Sequence, residues 1–156
     1  MFQQRLARAL ICGLALGTVA TADAQDAAEA GKITAVDEAF DAALSRKDIA
    51  ALDAAWAHDA SVTAVHPASK TVIVGWEAVR KSWEGAFETF AELAVTLKEP
   101  NVRVVHHTAW VVGVETVRGR LASGASVEFA ALTTNIYEKR GERWLMVHHQ
   151  ASRAPQ

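Results

Sequence analysis

Apolar residues recur at intervals of three and four along three stretches of the chain, which is the spacing of one face of an α-helix. These stretches cover residues 26–47, 49–57 and 76–90, and Asp48 stands where the second would have its N-cap. The third has an unusually bulky apolar stripe, formed by Val79, Trp83, Phe87 and Phe90. The pattern therefore predicts three helices before residue 91.

Residues with β-branched and aromatic side chains dominate the remaining segments. Two short runs, 61–66 and 71–74, lie between the second and third helical stretches and predict a hairpin. Turn residues then separate four longer predicted strands, which cover 93–105, 109–117, 127–137 and 144–149. Because consecutive strands without helical crossovers pair antiparallel, this order predicts an α+β fold with an antiparallel sheet.

Two of these strands, at residues 110–115 and 144–147, are apolar on both alternate sets of side chains. A sheet of this kind must be covered on both faces. Helices can cover one face and a second copy of the same sheet can cover the other, so the pattern predicts a homodimer. We assign Trp110 and Val112 to the face toward the helices, which places Glu115 on the outer face. Strand register decides this, and in the alternative register Glu115 is a buried acid and a catalytic candidate.

The composition is that of one soluble globular domain. The 156 residues are 51% hydrophobic and 22% charged, and their formal net charge is −2. With no basic surplus and no block of like charges, the chain lacks what binding to a phosphate backbone requires. We therefore expect no nucleic-acid partner.

The N-terminus has the three parts of a secretory signal peptide. Two arginines precede an apolar run over 9–20, and Ala22-Asp23-Ala24 supplies the small residues before a cleavage site. The apolar run is shorter than the roughly 18–20 residues that span a bilayer. We expect a signal peptide over 1–24, a mature domain over 25–156, and a periplasmic or secreted protein.

The single cysteine, Cys12, lies inside this apolar run. Ile11 precedes it, where a bacterial lipoprotein site has a small residue, so we expect no membrane anchor after cleavage. Removal of the leader leaves no cysteine in the domain, which excludes disulfides, thiol nucleophiles and cysteine metal ligands.

Four phrases carry a resemblance to a known family: DIAALDAAWAHDASV from Asp48, VHP from Val65, VGWEAVR from Val74 and GERWLMVHH from Gly141. Together they resemble the SnoaL-like branch of the nuclear transport factor 2-like superfamily. The resemblance implies a strongly curved sheet that wraps with three helices into a cone, with a small and mostly apolar ligand held inside.

The resemblance leaves activity open, because members include isomerases, dehydratases, cyclases, hydrolases, binding proteins and oligomerisation domains. It favours a protein that binds a small apolar or aromatic molecule. A cofactor-independent isomerase, dehydratase or epimerase with a histidine base is the alternative, and a pure oligomerisation module is a second one.

Ketosteroid isomerase, an enzyme of this superfamily, uses an Asp base and an oxyanion hole made of a Tyr and a protonated carboxylic acid. Similarity of the first-helix phrase puts Phe40 where the tyrosine would be. The base position falls at His66 and the carboxylic acid position near Thr134. Two of the three groups lack the required chemistry, so steroid isomerisation by that mechanism is not expected.

Histidines are the main candidates for proton transfer. His66 precedes Pro67 at the end of a predicted strand, and its imidazole suits a general base near neutral pH; an exposed turn histidine is the alternative. His148 and His149 are adjacent on a strand and must point to opposite faces, so only one can reach a site. We take His148 as the candidate and leave His149 open as the alternative. Tyr137 is a further candidate, to assist His66 as general base.

Large apolar side chains are the candidates for a ligand pocket, although a solid core is the alternative for each of them. The candidate ligand-binding residues are Phe40, Trp56, Trp83, Phe87, Trp110 and Val112. None of the six histidines is spaced i, i+4 on a predicted helix, so we expect no metal site. The acid–base reactions considered above need no cofactor, and we expect none.

Overall fold

A computed structural model describes residues 22–155, with side chains from residue 26. The predicted signal peptide lies outside the described residues except for 22–24, which begin the first helix. Within the described part, no helix is long and apolar enough to cross a membrane.

Within residues 22–155, nine elements follow one another in the predicted order. The helices are α1 (Ala22–Arg46), α2 (Ile49–Ala55) and α3 (Trp76–Thr89). The strands are β1 (Thr63–Val65), β2 (Ile73–Val74), β3 (Phe90–Val105), β4 (Thr108–Leu121), β5 (Ser126–Arg140) and β6 (Arg143–Arg153). The predicted α+β cone fold is confirmed.

The junction of α1 and α2 shows how the sequence sets the helix ends. Lys47 adopts a left-handed conformation with φ of 54°, which ends α1. Asp48 then caps α2, because its carboxylate accepts a hydrogen bond from the backbone N–H of Ala51 at 3.0 Å. The first helix therefore ends at Arg46 and the second begins at Ile49.

The sheet has the strand order β2-β1-β6-β5-β4-β3. Strands β3 to β6 form an antiparallel meander, as predicted, but β1 pairs with β6 in parallel, with Ala64 opposite His149. The sheet is therefore mixed rather than antiparallel throughout. The connection from β1 to β6 is long enough for either direction, and short strands carry no signal of their partner.

Irregular pairing bends the long strands around α1. Register shifts occur in β3 between Phe90 and Glu92 and between Lys98 and Asn101, and bulges of this kind increase twist and curvature. On β4, a Cβ at Gly119 would lie 2.5 Å from the carbonyl oxygen of Glu92, so only glycine permits this close approach of the strands. The curvature opens a concave face that the helices cover.

The assignment of the two faces of β4 is wrong. The buried set contains Ala109, Val111 and Glu115 and faces the helices, whereas Val112 is 42% exposed on the outer face. Trp110 shares that outer face by strand alternation. Both sets are apolar, so hydrophobicity could not choose between them, and the inner set is the one that contains the acid.

Candidate functional site

A cavity of about 520 Å³ lies between α3 and the concave face of the sheet. Its walls are apolar, and the residues that form most of them are Leu44, Phe87, Phe90, Leu93, Val95, Val117, Leu121, Val127 and Phe129. Polar side chains also reach it, among them His66, Ser82, Glu115, His149 and Arg153. This volume is that of a site for a small organic molecule.

His66 lies where β1 runs into the Pro67 turn, and its ring packs edge-on against Trp83 with 4.2 Å between the ring centroids. Its Nε2 is 2.8 Å from Ser82 Oγ. Ser82 donates its only hydroxyl proton to the carbonyl oxygen of Val79 at 2.6 Å, so it accepts from His66. The network thus assigns the ring proton to Nε2 and leaves a lone pair on Nδ1.

His149 lies on β6 and is buried, with its ring centroid 6.0 Å from that of His66. Its Nδ1 is 2.8 Å from Asn135 Oδ1. Because Asn135 donates its amide N–H to Asp37 at 2.8 Å, its Oδ1 faces His149 as an acceptor. His149 therefore carries its proton on Nδ1, and Nε2 holds the lone pair.

Asp37 on α1 is the acceptor at the end of this hydrogen-bond network. One carboxylate oxygen, Oδ1, accepts both the amide of Asn135 and the hydroxyl of Tyr137, the latter at 2.6 Å. Burial raises the pKa of Tyr137, so its hydroxyl remains a donor. The chain Tyr137–Asp37–Asn135–His149 thereby connects α1, β5 and β6.

Two further buried acids lie between α1 and the sheet. Burial, and after it the charge of Asp41, raise the pKa of Glu115 to about 8. Burial also raises the pKa of Asp41 to about 7, although Asp41 accepts a hydrogen bond from the backbone N–H of Leu97 at 2.7 Å. Glu115 is therefore mostly protonated at neutral pH and can donate a hydrogen bond into the cavity.

The two cavity histidines are neutral at the same pH. Burial lowers the pKa of His66 to about 4 and that of His149 to about 3. Desolvation disfavours the charged form of each group, and this makes acids weaker and imidazoles less basic. The cavity thus combines a neutral acid with neutral imidazoles whose lone pairs are available.

Three of the predicted site residues line the cavity: His66, Trp83 and Phe87. His148 does not, because alternation turns it to the opposite face of β6, where its Nδ1 is 2.6 Å from Thr63 Oγ1. His149 occupies the position that we assigned to His148.

The remaining predicted residues lie elsewhere. Tyr137 and Phe40 are fully buried beneath the cavity, where Phe40 contacts Trp83 edge-on at 5.8 Å between centroids. Trp56 is buried against Trp76, with 5.9 Å between their ring centroids, and does not line the cavity. Trp110 and Val112 face away from the cavity on the outer side of the sheet.

Sequence reasoning missed two acids beside the site, Asp37 and Asp41, and placed a third, Glu115, on the outer face, whereas the structure buries it at the cavity. A signal was present on the first helix, where Asp37 and Asp41 are four residues apart and fall on the apolar stripe with Phe40. Acidic residues on the buried face of a helix need partners, and this marks them as candidates.

Residues 26–155 contain no group of three or more His, Cys, Asp or Glu side chains arranged to hold a metal ion.

The chain belongs to the SnoaL-like domain family, which matches residues 33–156. This confirms the resemblance seen in the sequence. No protein of curated function matches the chain significantly.

Solved structures show the same fold. A candidate dehydratase of the nuclear transport factor 2-like family from Streptomyces avermitilis is 21% identical, with a TM-score of 0.76 over 84% of this chain and 99% of the other. A superfamily member from Salmonella enterica is 15% identical, with a TM-score of 0.77 over 83% and 94%. The association domain of C. elegans CaMKII is 23% identical, with a TM-score of 0.65 over 82% and 98%.

The buried acids predict a specific pH dependence of stability. An acid whose pKa is higher in the folded chain than in the unfolded chain stabilises folding at low pH, and this contribution is lost as pH rises through the folded pKa. The lowered pKa values of His66 and His149 make the free energy of unfolding rise with pH, but only below about pH 6.5. Between pH 6.5 and 8 the free energy of unfolding should therefore fall, by about 1–2 kcal/mol from Glu115.

Urea unfolding at pH 6.5, 7.25 and 8 measures this decline. Glu115→Gln keeps the shape of the protonated acid and should remove most of the decline, while Glu88→Gln on the exposed side of α3 should leave it unchanged. An equal decline in Glu115→Gln and in the wild type would show that Glu115 does not titrate in this range.

Proposed function

We propose that this protein binds a small, mostly apolar molecule in the cavity between α3 and the sheet. The observation that carries the proposal is a cavity of about 520 Å³ whose apolar walls surround a few convergent polar groups, His66, His149 and Glu115. That combination is typical of sites for small organic ligands, in which apolar walls give affinity and a few polar groups fix orientation.

Acid–base catalysis without a cofactor is the second candidate, and the hydrogen-bond network favours it. His66 Nδ1 and His149 Nε2 both keep a lone pair, and Glu115 holds a proton. An imidazole can take a proton from a carbon next to a carbonyl group, while the electron pair moves to the carbonyl oxygen and that oxygen accepts a hydrogen bond from Glu115. Return of the proton to another carbon gives an isomer.

The same groups also suit a dehydration. Loss of a hydroxyl group from the next carbon, with a proton from the imidazolium, gives an alkene and water. One structural neighbour is named as a candidate dehydratase, which supports this reaction class. A pure oligomerisation module is less favoured, because side chains would then be expected to fill the cone, whereas this structure has a cavity of about 520 Å³.

Removing the imidazole of His66 tests catalysis. We expect enzyme-catalysed exchange of the α-protons of 2-tetralone, followed by NMR in D₂O, to fall at least tenfold in His66→Ala, since a positioned base contributes roughly 10²–10⁴-fold. The wild-type rate should fall as pH drops through about 4, where His66 becomes protonated. His107→Ala, in the exposed turn before β4, is the matched control.

Folding of His66→Ala should remain nearly intact, with a loss of about 1–2 kcal/mol, because the ring borders the cavity and is not enclosed in the core. Unchanged exchange in this variant would exclude His66 as the base. Binding of 2-tetralone without exchange in the wild type would leave the ligand-binding function alone.

The exposed face of the sheet supports a homodimer as part of the proposal. Val112, Val114 and Leu132 are each at least 40% exposed on it. Contiguous apolar surface of this kind is a mark of an interface. A neighbour of the same fold is named as an association domain, which is consistent with assembly.

A single charge on this face should prevent assembly. Leu132→Lys should convert a dimer to a monomer in size-exclusion chromatography with light scattering, because burying an unpaired ammonium costs several kcal/mol. Val72→Lys is the matched control, since Val72 is 56% exposed but lies outside this face, in the loop before β2. A monomeric wild type at micromolar concentration would contradict the proposal.

Export is also part of the proposal, supported by the charged, apolar and small-residue regions of 1–24 in the required order. N-terminal sequencing of the protein from its native host should begin at Gln25. A protein that retains Met1 would contradict cleavage.

A further inference from the structure

Arg153 lies at the rim of the cavity. It is the third inward-facing residue at the end of β6, after His149 and Ala151, and all three line the cavity. Its guanidinium carbon lies 4.1 Å from the centroid of the Phe129 ring, which is also part of the cavity wall. The charge is therefore held against an apolar surface rather than extended freely into water.

This guanidinium has no acidic partner among the side chains of residues 26–155. In that part of the chain the arginines that form ion pairs are Arg80, Arg118, Arg120 and Arg140, and Arg153 is not among them. The arginines on the outer face of β4 form cross-strand pairs, as surface charges commonly do. The arginine at the cavity rim differs from them.

Arg153 is also the only charged side chain on the described cavity wall at neutral pH. The other titratable groups that line it are Glu115, His66 and His149, and burial keeps all three mostly uncharged. The cavity therefore offers one positive charge at its rim and apolar surface with neutral polar groups further in.

We propose that the molecule bound in this cavity is a monocarboxylate, with its apolar body inside and its carboxylate held by Arg153 at the rim. This inference rests on the proposed binding function and specifies its ligand. A guanidinium presents two parallel N–H donors that match the two oxygens of a carboxylate. A phosphate monoester, with nearly two negative charges, would leave one of them uncompensated beside Phe129 and Val127.

The strand sets the length of such a ligand. Arg153 and His149 are four residues apart on β6, and a rise of roughly 3.3 Å per residue separates their Cα atoms by about 13 Å. A ligand that reaches both therefore needs an apolar body of ring or chain carbons between its carboxylate and the group that faces His149 and Glu115. Small acids such as acetate are too short.

Three matched probes test whether the cavity prefers a negatively charged ligand. They are 4-(1-naphthyl)butanoate, its uncharged amide and the corresponding primary amine. Their affinities are measured by titration calorimetry at pH 7 with the full-length protein. In the wild type the carboxylate should bind about tenfold more tightly than the amide, as expected for one charge-assisted hydrogen-bonded pair, and the amine should bind most weakly. The preference should shrink when salt is raised from 20 to 300 mM.

Arg153→Gln keeps the length of the side chain but removes its charge, and it should reduce the preference for the carboxylate to less than about twofold while leaving the affinity for the amide nearly unchanged. Arg118→Gln is the matched control, because Arg118 is an exposed arginine on the outer face of the sheet, paired with Glu128. It should keep the wild-type preference.

The outcomes separate this inference from the function on which it rests. Equal affinity of the wild type for all three probes, or a preference that persists in Arg153→Gln, overturns the role of Arg153 but retains the binding function. If no probe binds, and the uncharged 2-tetralone also fails to bind, both are overturned. A collapse of the preference in Arg153→Gln alone supports the proposal.

Discussion

The buried carboxylate of Asp37 holds the functional part of this fold together. It accepts hydrogen bonds from Tyr137 and Asn135 on β5, and Asn135 in turn orients His149 on β6. A buried acid without partners would be strongly unfavourable, so α1 must lie in the one position on the sheet where both donors are available. The orientation of the helix on the sheet and the protonated nitrogen of His149 thus depend on the same contact.

Asp41 and Glu115 extend this constraint toward the cavity. Neither has enough donors to be stable as a buried anion: one carboxylate oxygen of each has no partner among the described residues. They therefore hold protons at pH values where surface acids have lost them. Replacing such groups with apolar residues is often stabilising in proteins, so their presence is better explained by the site than by stability.

Periodicity was enough to predict the order of elements, because the three helical stripes and the strand runs are long and regular. It was not enough to assign the faces of β4, where Trp110, Val112 and Val114 alternate with a set that is equally apolar apart from Glu115. The same uncertainty of one residue along the strand led to the choice of His148 for the site, which His149 occupies. In both cases the packing of α1 decides, and that packing depends on side chains far apart in sequence. His66 could be placed because its position at a strand end is fixed by Pro67.

The parallel pairing of β1 with β6 has a consequence for the order in which the molecule becomes functional. His66 directly follows the first strand, whereas His149 and Arg153 belong to the last, and Ala64 pairs with His149 only when these two strands join. The meander β3 to β5 consists of neighbours in sequence and can form early, but the closing contact spans 85 residues between Thr63 and His148. A nascent or truncated chain that lacks β6 keeps His66 but has neither His149 nor the strand with which β1 pairs, so the site exists only in the completed fold.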